Sequence, residues 1–192
     1  MTTETTPTKQ PLDLDALFPE LSQISDGGLR EAVVAIWQEL WQRSAYQRID
    51  DVPVSSSIDY PQVKHARGVL RAALAVAPIW EEVHGVHFDR DVLIAGALLM
   101  DVSKMVESGR DPDGRPAKTE VGRLLPHATL AAHLAMQHGV PLPVVHVITC
   151  HSPNGGKAPA THEAELLDSL DQADIAAFGH TIWTRKVVHW QP

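Results

Sequence analysis

The sequence predicts an all-α protein folded as a single compact helical bundle. Apolar residues recur at three- and four-residue spacing through most of the chain, and no alternation of strand and helix signals marks a βαβ unit. The length, 192 residues, suits one domain with a core of its own. No internal repeat is present.

Taken in order, residues 1–12 are polar and Thr/Pro-rich and are expected to form a mobile tail. Residues 13–60 read as an N-terminal helical extension, with its first regular element after "SDGG". In "LREAVVAIWQELWQR", residues 29–43, the side chains of Leu29, Val33, Ile36, Trp37, Leu40 and Trp41 share one helical face. Residues 53–61 should be extended or loop, and Pro61 suits the first turn of the next helix. That helix, "PQVKHARGVLRAALAVA", continues to about residue 83, with Pro78 as a candidate break. Asp89 is a good N-cap for a third helix through "VLIAGALLMDVSKMVE". Being apolar around most of its circumference, it belongs near the centre of the bundle. "SGRDPDGRPAKTEVG" reads as a polar loop. Further helices are expected from residue 126 to about 138, from 141 to about 151 and from about 162 to 178, with "SPNGGKAPAT" as a loop between the last two. Residues 179–192 read as a C-terminal tail or strand.

A formal charge of −8 without a basic stripe argues against a nucleic-acid polymer as partner, since nothing is placed to release counterions from phosphates. The single cysteine, Cys150, forms no internal disulfide, and neither a signal-peptide segment nor a membrane span is legible. The expected setting is soluble and cytoplasmic, with no membrane partner; a homo-oligomer is compatible with the composition.

Eleven histidines stand out, and helical position sorts them. His65 shares its face with Val69 and Ala72, His127 with Leu130, Ala131 and Leu134, and His151 with Val144, Val147 and Ile148. His133 neighbours Thr129 and Gln137, and His138 lies at a helix end. His84, His87, His162, His180 and His189 fall in or near loops and tails, and His146 is intermediate. Asp101 is embedded in the most apolar helix, where a lone carboxylate is costly unless hydrogen-bonded, charge-paired or metal-bound. Asp171 and Asp174 can each face inward. Any one of these is best explained as a satisfied core polar group; together, carboxylates and imidazoles on several helices of one bundle are what a di-metal site requires.

His65 in "KHARGVLRAAL", the segment "LLMDVSKMVE", and then "LLPHATLAAHLAMQHGV", "VVHVITCHS" and "HEAELLDSLDQAD" together resemble the HD-domain superfamily over residues 61–178. The resemblance implies an HD-type helical core. It also implies two metal sites: His65, Asp101 and Asp171 in one, and Asp101, His127 and His151 in the other, bridged by Asp101. Among the branches resembled is the binuclear one, so the cofactor expected is one or two divalent ions of Fe, Mn or Mg. Lys104 matches a lysine that touches substrate phosphate.

Met100 stands where the resembled pattern has histidine, and a soft, neutral thioether is a poor ligand for these ions. The expected function is a metal-dependent phosphohydrolase of a small phosphoester or nucleotide, with Asp101 and Lys104 catalytic, Lys104 also binding the small anionic substrate, and Met100 a candidate cause of impairment. The alternatives are a non-haem di-iron oxygenase resembling inositol oxygenase, and a degenerate HD fold acting as a non-catalytic ligand-binding module.

Overall fold

The computed structural model describes residues 9–55, 58–152 and 157–179, so residues 1–8 of the expected N-terminal tail and 180–192 of the C-terminal one lie outside the described residues. Asp13 accepts a hydrogen bond from the Ala16 N–H and opens α1 (Leu14–Leu17); a 3₁₀ turn, Pro19–Gln23, follows. Both precede the first helix read from the sequence; neither is long enough to show a stripe. Asp26 then caps α2 (Gly27–Arg43), accepting from Gly28 and Leu29. A 3₁₀ turn, Ile49–Asp51, leads into an antiparallel pair of short strands, β1 (Pro53–Ser55) and β2 (Ile58–Pro61), in the segment expected to be extended.

The long helix α3 (Gln62–His84) begins after Pro61 and passes Pro78 without breaking. Proline deprives the Leu74 carbonyl of its helical donor. Because residues 78–80 are exposed, that carbonyl is free to find water instead of forcing the helix to end. α4 (Arg90–Leu99) is capped by Asp89, as expected, but ends at Leu99 instead of running on through residue 107, and residues 92–99 are all buried. It packs against α2, α3, α8 (Leu142–Cys150) and α9 (His162–Phe178), which is why its circumference is apolar. At Gly96 the neighbours come so close that an added Cβ would meet Val147 Cγ1 at 2.9 Å and Leu167 Cδ1 at 3.0 Å. The Trp37 indole donates to the Leu98 carbonyl across the α2–α4 contact, at 3.0 Å.

After α4 comes α5 (Lys104–Glu107). The segment read as a polar loop then folds as a hairpin of β3 (Ser108–Arg110) and β4 (Pro116–Lys118), followed by α6 (Glu120–Leu124). Its turn is built by the Asp111 carboxylate, which accepts from the N–H groups of Asp113 and Arg115, and by Gly114 at φ +80°. α7 (Thr129–Gln137) starts three residues later than the expected helix at Pro126, because Ala128 adopts a left-handed φ of 68° and interrupts any earlier turn. Residues 9–12 lie along α2: the Trp41 indole donates to the Gln10 carbonyl, and Gln38 exchanges two hydrogen bonds with the backbone of Leu12. The described chain is a mostly helical bundle. Among the described residues, no helix is long and apolar enough to cross a membrane.

Candidate metal centre

Asp101 occupies the turn between the central helix and α5. Met100 keeps helical dihedrals as the C-cap, its N–H still bonded to Gly96, and the chain then tightens through Val102 N–H to Leu99 and Lys104 N–H to Asp101. Since α4 is surrounded, its end is surrounded too: Asp101 is 1% exposed and Met100 0%. Met100 belongs to the apolar core.

The structure brings His65, Asp101, His127, His151 and Asp171 together, in two clusters that share Asp101. His65 comes from α3, Asp171 from α9 and His151 from the C-cap of α8, while His127 lies on the turn before α7. The two carboxylate oxygens of Asp101 divide the work. Oδ1 lies 2.9 Å from His127 Nε2 and 3.3 Å from His151 Nε2, whereas Oδ2 lies 3.3 Å from His65 Nε2 and 2.8 Å from Lys104 Nζ. Asp171 Oδ1 stands 2.9 Å from the same His65 Nε2, and the Nε2 atoms of His127 and His151 are 3.2 Å apart.

All three histidines have a partner on the other ring nitrogen. His65 Nδ1 meets Asp174 Oδ2 at 2.8 Å, His127 Nδ1 meets Glu107 Oε2 at 2.8 Å, and His151 Nδ1 meets the Ile148 carbonyl at 2.8 Å. An acceptor at Nδ1 holds the proton there and leaves the Nε2 lone pair for a metal. In each ring it is Nε2 that points into a cluster. The donor set therefore fits a divalent ion in each: one imidazole and two carboxylates in the first, two imidazoles and one carboxylate in the second.

Without an ion, the charges compensate one another. Burial works against the charged form of His65, but its contacts with Asp101, Asp171 and Asp174 prevail and push it up to about 11. Burial likewise opposes a charged His127; bonds to Asp101 and Glu107 outweigh it and, against the positive charge of Lys104, push it up to about 9. Burial alone would raise Asp101, yet Lys104 and the three imidazoles hold it well below the usual carboxylate range. Glu107, also opposed by burial, is lowered by its bond to His127.

Asp174, weighed against Asp171 in the sequence, serves beside it on the opposite nitrogen of His65. Glu107 and Ser103, which the sequence reading did not single out, complete the surroundings, with Ser103 Oγ donating to Glu107 Oε1 at 2.5 Å. Lys104 lies against Asp101 itself and is only 14% exposed. His133 is exposed, His146 accepts from the Ala160 N–H and His138 faces Glu39, all away from the clusters. His180 and His189 lie outside the described residues.

No family model matches the chain, and no solved structure matches it. It is 28% identical over 173 aligned residues to the dihydroneopterin 2',3'-cyclic phosphate phosphodiesterase of Methanocaldococcus jannaschii, an alignment that covers 84% of this chain and 68% of that relative. Likeness to a phosphodiesterase and two His/Asp clusters able to coordinate divalent ions are together consistent, in general terms, with a metal-dependent phosphoester hydrolase.

Proposed function

We propose that the chain is a metal-dependent phosphohydrolase of the HD-domain type, acting on a small anionic phosphoester, with cyclic phosphodiesters the first class to test. The observation that carries this reading is Asp101, a buried carboxylate that offers one oxygen to each cluster. This is the arrangement a bridging ligand needs. The relative's substrate, a cyclic phosphodiester, supports the choice of bond.

Divalent ions held by His65, Asp101 and Asp171 and by Asp101, His127 and His151 would supply Lewis acidity toward phosphoryl oxygens and a water of lowered pKa. The protein's own residues orient and balance that chemistry. Lys104 places a positive charge at the rim of the site, where it offsets the carboxylates and meets an incoming phosphate as a point charge. Asp174, Glu107 and the Ile148 carbonyl keep the three rings turned toward the clusters. Burial of Asp101 and His65 excludes bulk water and strengthens each of these interactions.

The test is turnover of bis(p-nitrophenyl) phosphate and of nucleoside cyclic phosphates by protein purified without chelator, with Mn²⁺, Mg²⁺ or Fe²⁺ supplied. Metal-stimulated hydrolysis is expected. Lys104→Ala should lower it by about one to two orders of magnitude, the equivalent of a charge-assisted contact worth about 1.5–3 kcal/mol. No hydrolysis with any of the three ions would sink the reading. The two-imidazole, one-carboxylate composition of the second cluster favours a second reading, an iron oxygenase. That reading requires iron in the purified protein and substrate-dependent consumption of O₂. A chain that neither binds metal nor turns over would be a binding module, with Asp101 and Lys104 as an internal ion pair.

A further inference from the structure

Of the three clustered histidines, His127 has the least support from its own backbone. His65 is inside a helix and His151 ends one, whereas His127 sits on a turn next to Ala128, the one non-glycine residue with a left-handed φ among the described residues. Its ring direction must be set from outside. Glu107 is placed to do so. Its Oε2 meets Nδ1 of His127 at 2.8 Å, on the nitrogen that faces away from the clusters, and its Oε1 accepts from Ser103 Oγ at 2.5 Å. With both oxygens occupied in this way, the carboxylate is oriented rather than offered to an ion.

The backbone of Glu107 is held as firmly as its side chain. Its carbonyl accepts from the Thr119 N–H at 2.9 Å, and the Thr119 hydroxyl reaches the Val106 carbonyl at 2.6 Å. Gly122 packs so closely on that carbonyl that an added Cβ would lie 2.2 Å from its oxygen. Ser103 is fully buried two residues beyond Asp101. The turn that carries Asp101 thus also carries the clamp on its histidine partner.

We propose that Glu107, locked by Ser103, is a positioning residue that fixes the direction and raises the ligand strength of His127, and so sets the affinity of the Asp101/His127/His151 cluster for its ion. The proposal rests on the metal-site part of the functional reading and not on the phosphoester substrate. A histidine ligand that loses such a partner typically binds its metal about 10- to 100-fold more weakly.

The experiment is calorimetric titration of Mn²⁺ or Co²⁺ into the full chain after removal of metal by chelator. His127→Ala and His65→Ala identify which binding event belongs to which cluster. Glu107→Ala is expected to weaken the ion at the His127 cluster by about 10- to 100-fold and to leave the other event unchanged. Glu107→Gln, whose amide oxygen still accepts from Nδ1–H, should recover most of the loss. Wild-type affinity in Glu107→Ala, an equal loss at both clusters, or a Glu107→Gln no better than Glu107→Ala would each overturn the proposal. If Glu107→Ala does not fold, Ser103→Ala takes its place: a smaller loss at the same ion supports the clamp, and unchanged affinity overturns it. A wild-type chain that takes up no ion overturns this proposal together with the functional reading. Ion binding without phosphoester turnover defeats only the latter.

Discussion

In the ion-free protein His127 faces a carboxylate on each nitrogen, Asp101 at Nε2 and Glu107 at Nδ1, and so keeps two protons up to about pH 9. An ion at Nε2 must displace one of them. Binding at that cluster should therefore release a proton, and apparent affinity should rise about tenfold per pH unit below the His127 value. The sign follows from the shift: with the ring raised above its ordinary 6.5, lowering the pH adds competitor. Calorimetry in buffers of different ionisation enthalpy should show heats that track the buffer; buffer-independent heats would contradict it. Met100 offers a second test at this scale. It is buried in the core beside Asp101, and an imidazole there with no partner would cost about 1–3 kcal/mol. Met100→His is expected to bind metal more tightly than the parent and to recover that cost when loaded, seen as a larger metal-induced rise in Tm. An equal loss with and without metal would show that position 100 faces only the apolar core. Face and apolar neighbours in the sequence single out His65, Asp101 and His151, and also His127, which stands on the turn before α7 rather than on a helix face; the choice of Asp171 over Asp174 comes only from the resemblance. Glu107 is missed because the sequence reads as one helix through residue 107, whereas the chain turns after Leu99 and sets Glu107 on the separate α5.

The elements most legible in the sequence are those long enough to repeat their pattern. α9 runs from His162 to Phe178 as read, and α4 begins at the Asp89 cap as read. The short ones depend on neighbours. β3 and β4 pair across a turn built from Asp111 and Gly114 in a segment whose composition is that of a loop, and α1 rests on one cap and the face of the core it meets. Close approach of elements is likewise hidden from a single sequence until a glycine shows it. Gly96→Ala would drive a methyl against Val147 and Leu167, where α4 meets α8 and α9. Overpacking costs about 1–3 kcal/mol, against about 1 kcal/mol regained in helix propensity. The variant should therefore be less stable by up to about 2 kcal/mol, seen as a lower urea midpoint. Gly27→Ala, with nothing within 4 Å of its added carbon, should leave the midpoint near the parent's. Equal midpoints for the two variants would mean the bundle relaxes freely around α4.

Across the whole molecule, the buried charges make stability depend on pH in opposite directions at the two ends of the range. His65 and His127 are raised above 6.5, so their contribution is complete below that value and is lost as pH rises through about 9 and then about 11. Asp101 is depressed below 3.8, so its contribution is complete above that value and is lost as pH falls through its folded value. Chelator-treated protein should accordingly be most stable between 3.8 and 6.5 and should lose Tm toward alkaline pH. Loaded protein, its Nε2 protons already gone, should lack the alkaline loss. Thermal scans of both forms over this range check it, and parallel curves would contradict it.

The Trp37 indole bond to Leu98 has one more consequence. Leu98 lies in the last turn of α4, where its carbonyl would ordinarily await the Val102 N–H, but Val102 turns back to Leu99 instead. The tryptophan on α2 takes the vacated role, and so decides where α4 stops and the Asp101 turn begins. The segment from residue 61 onward is for this reason no portable cassette. Excised or transplanted without α2, it would keep every candidate ligand and lose the hydrogen bond that closes the end of α4, so the Asp101 turn leans on a helix that contributes no atom to it.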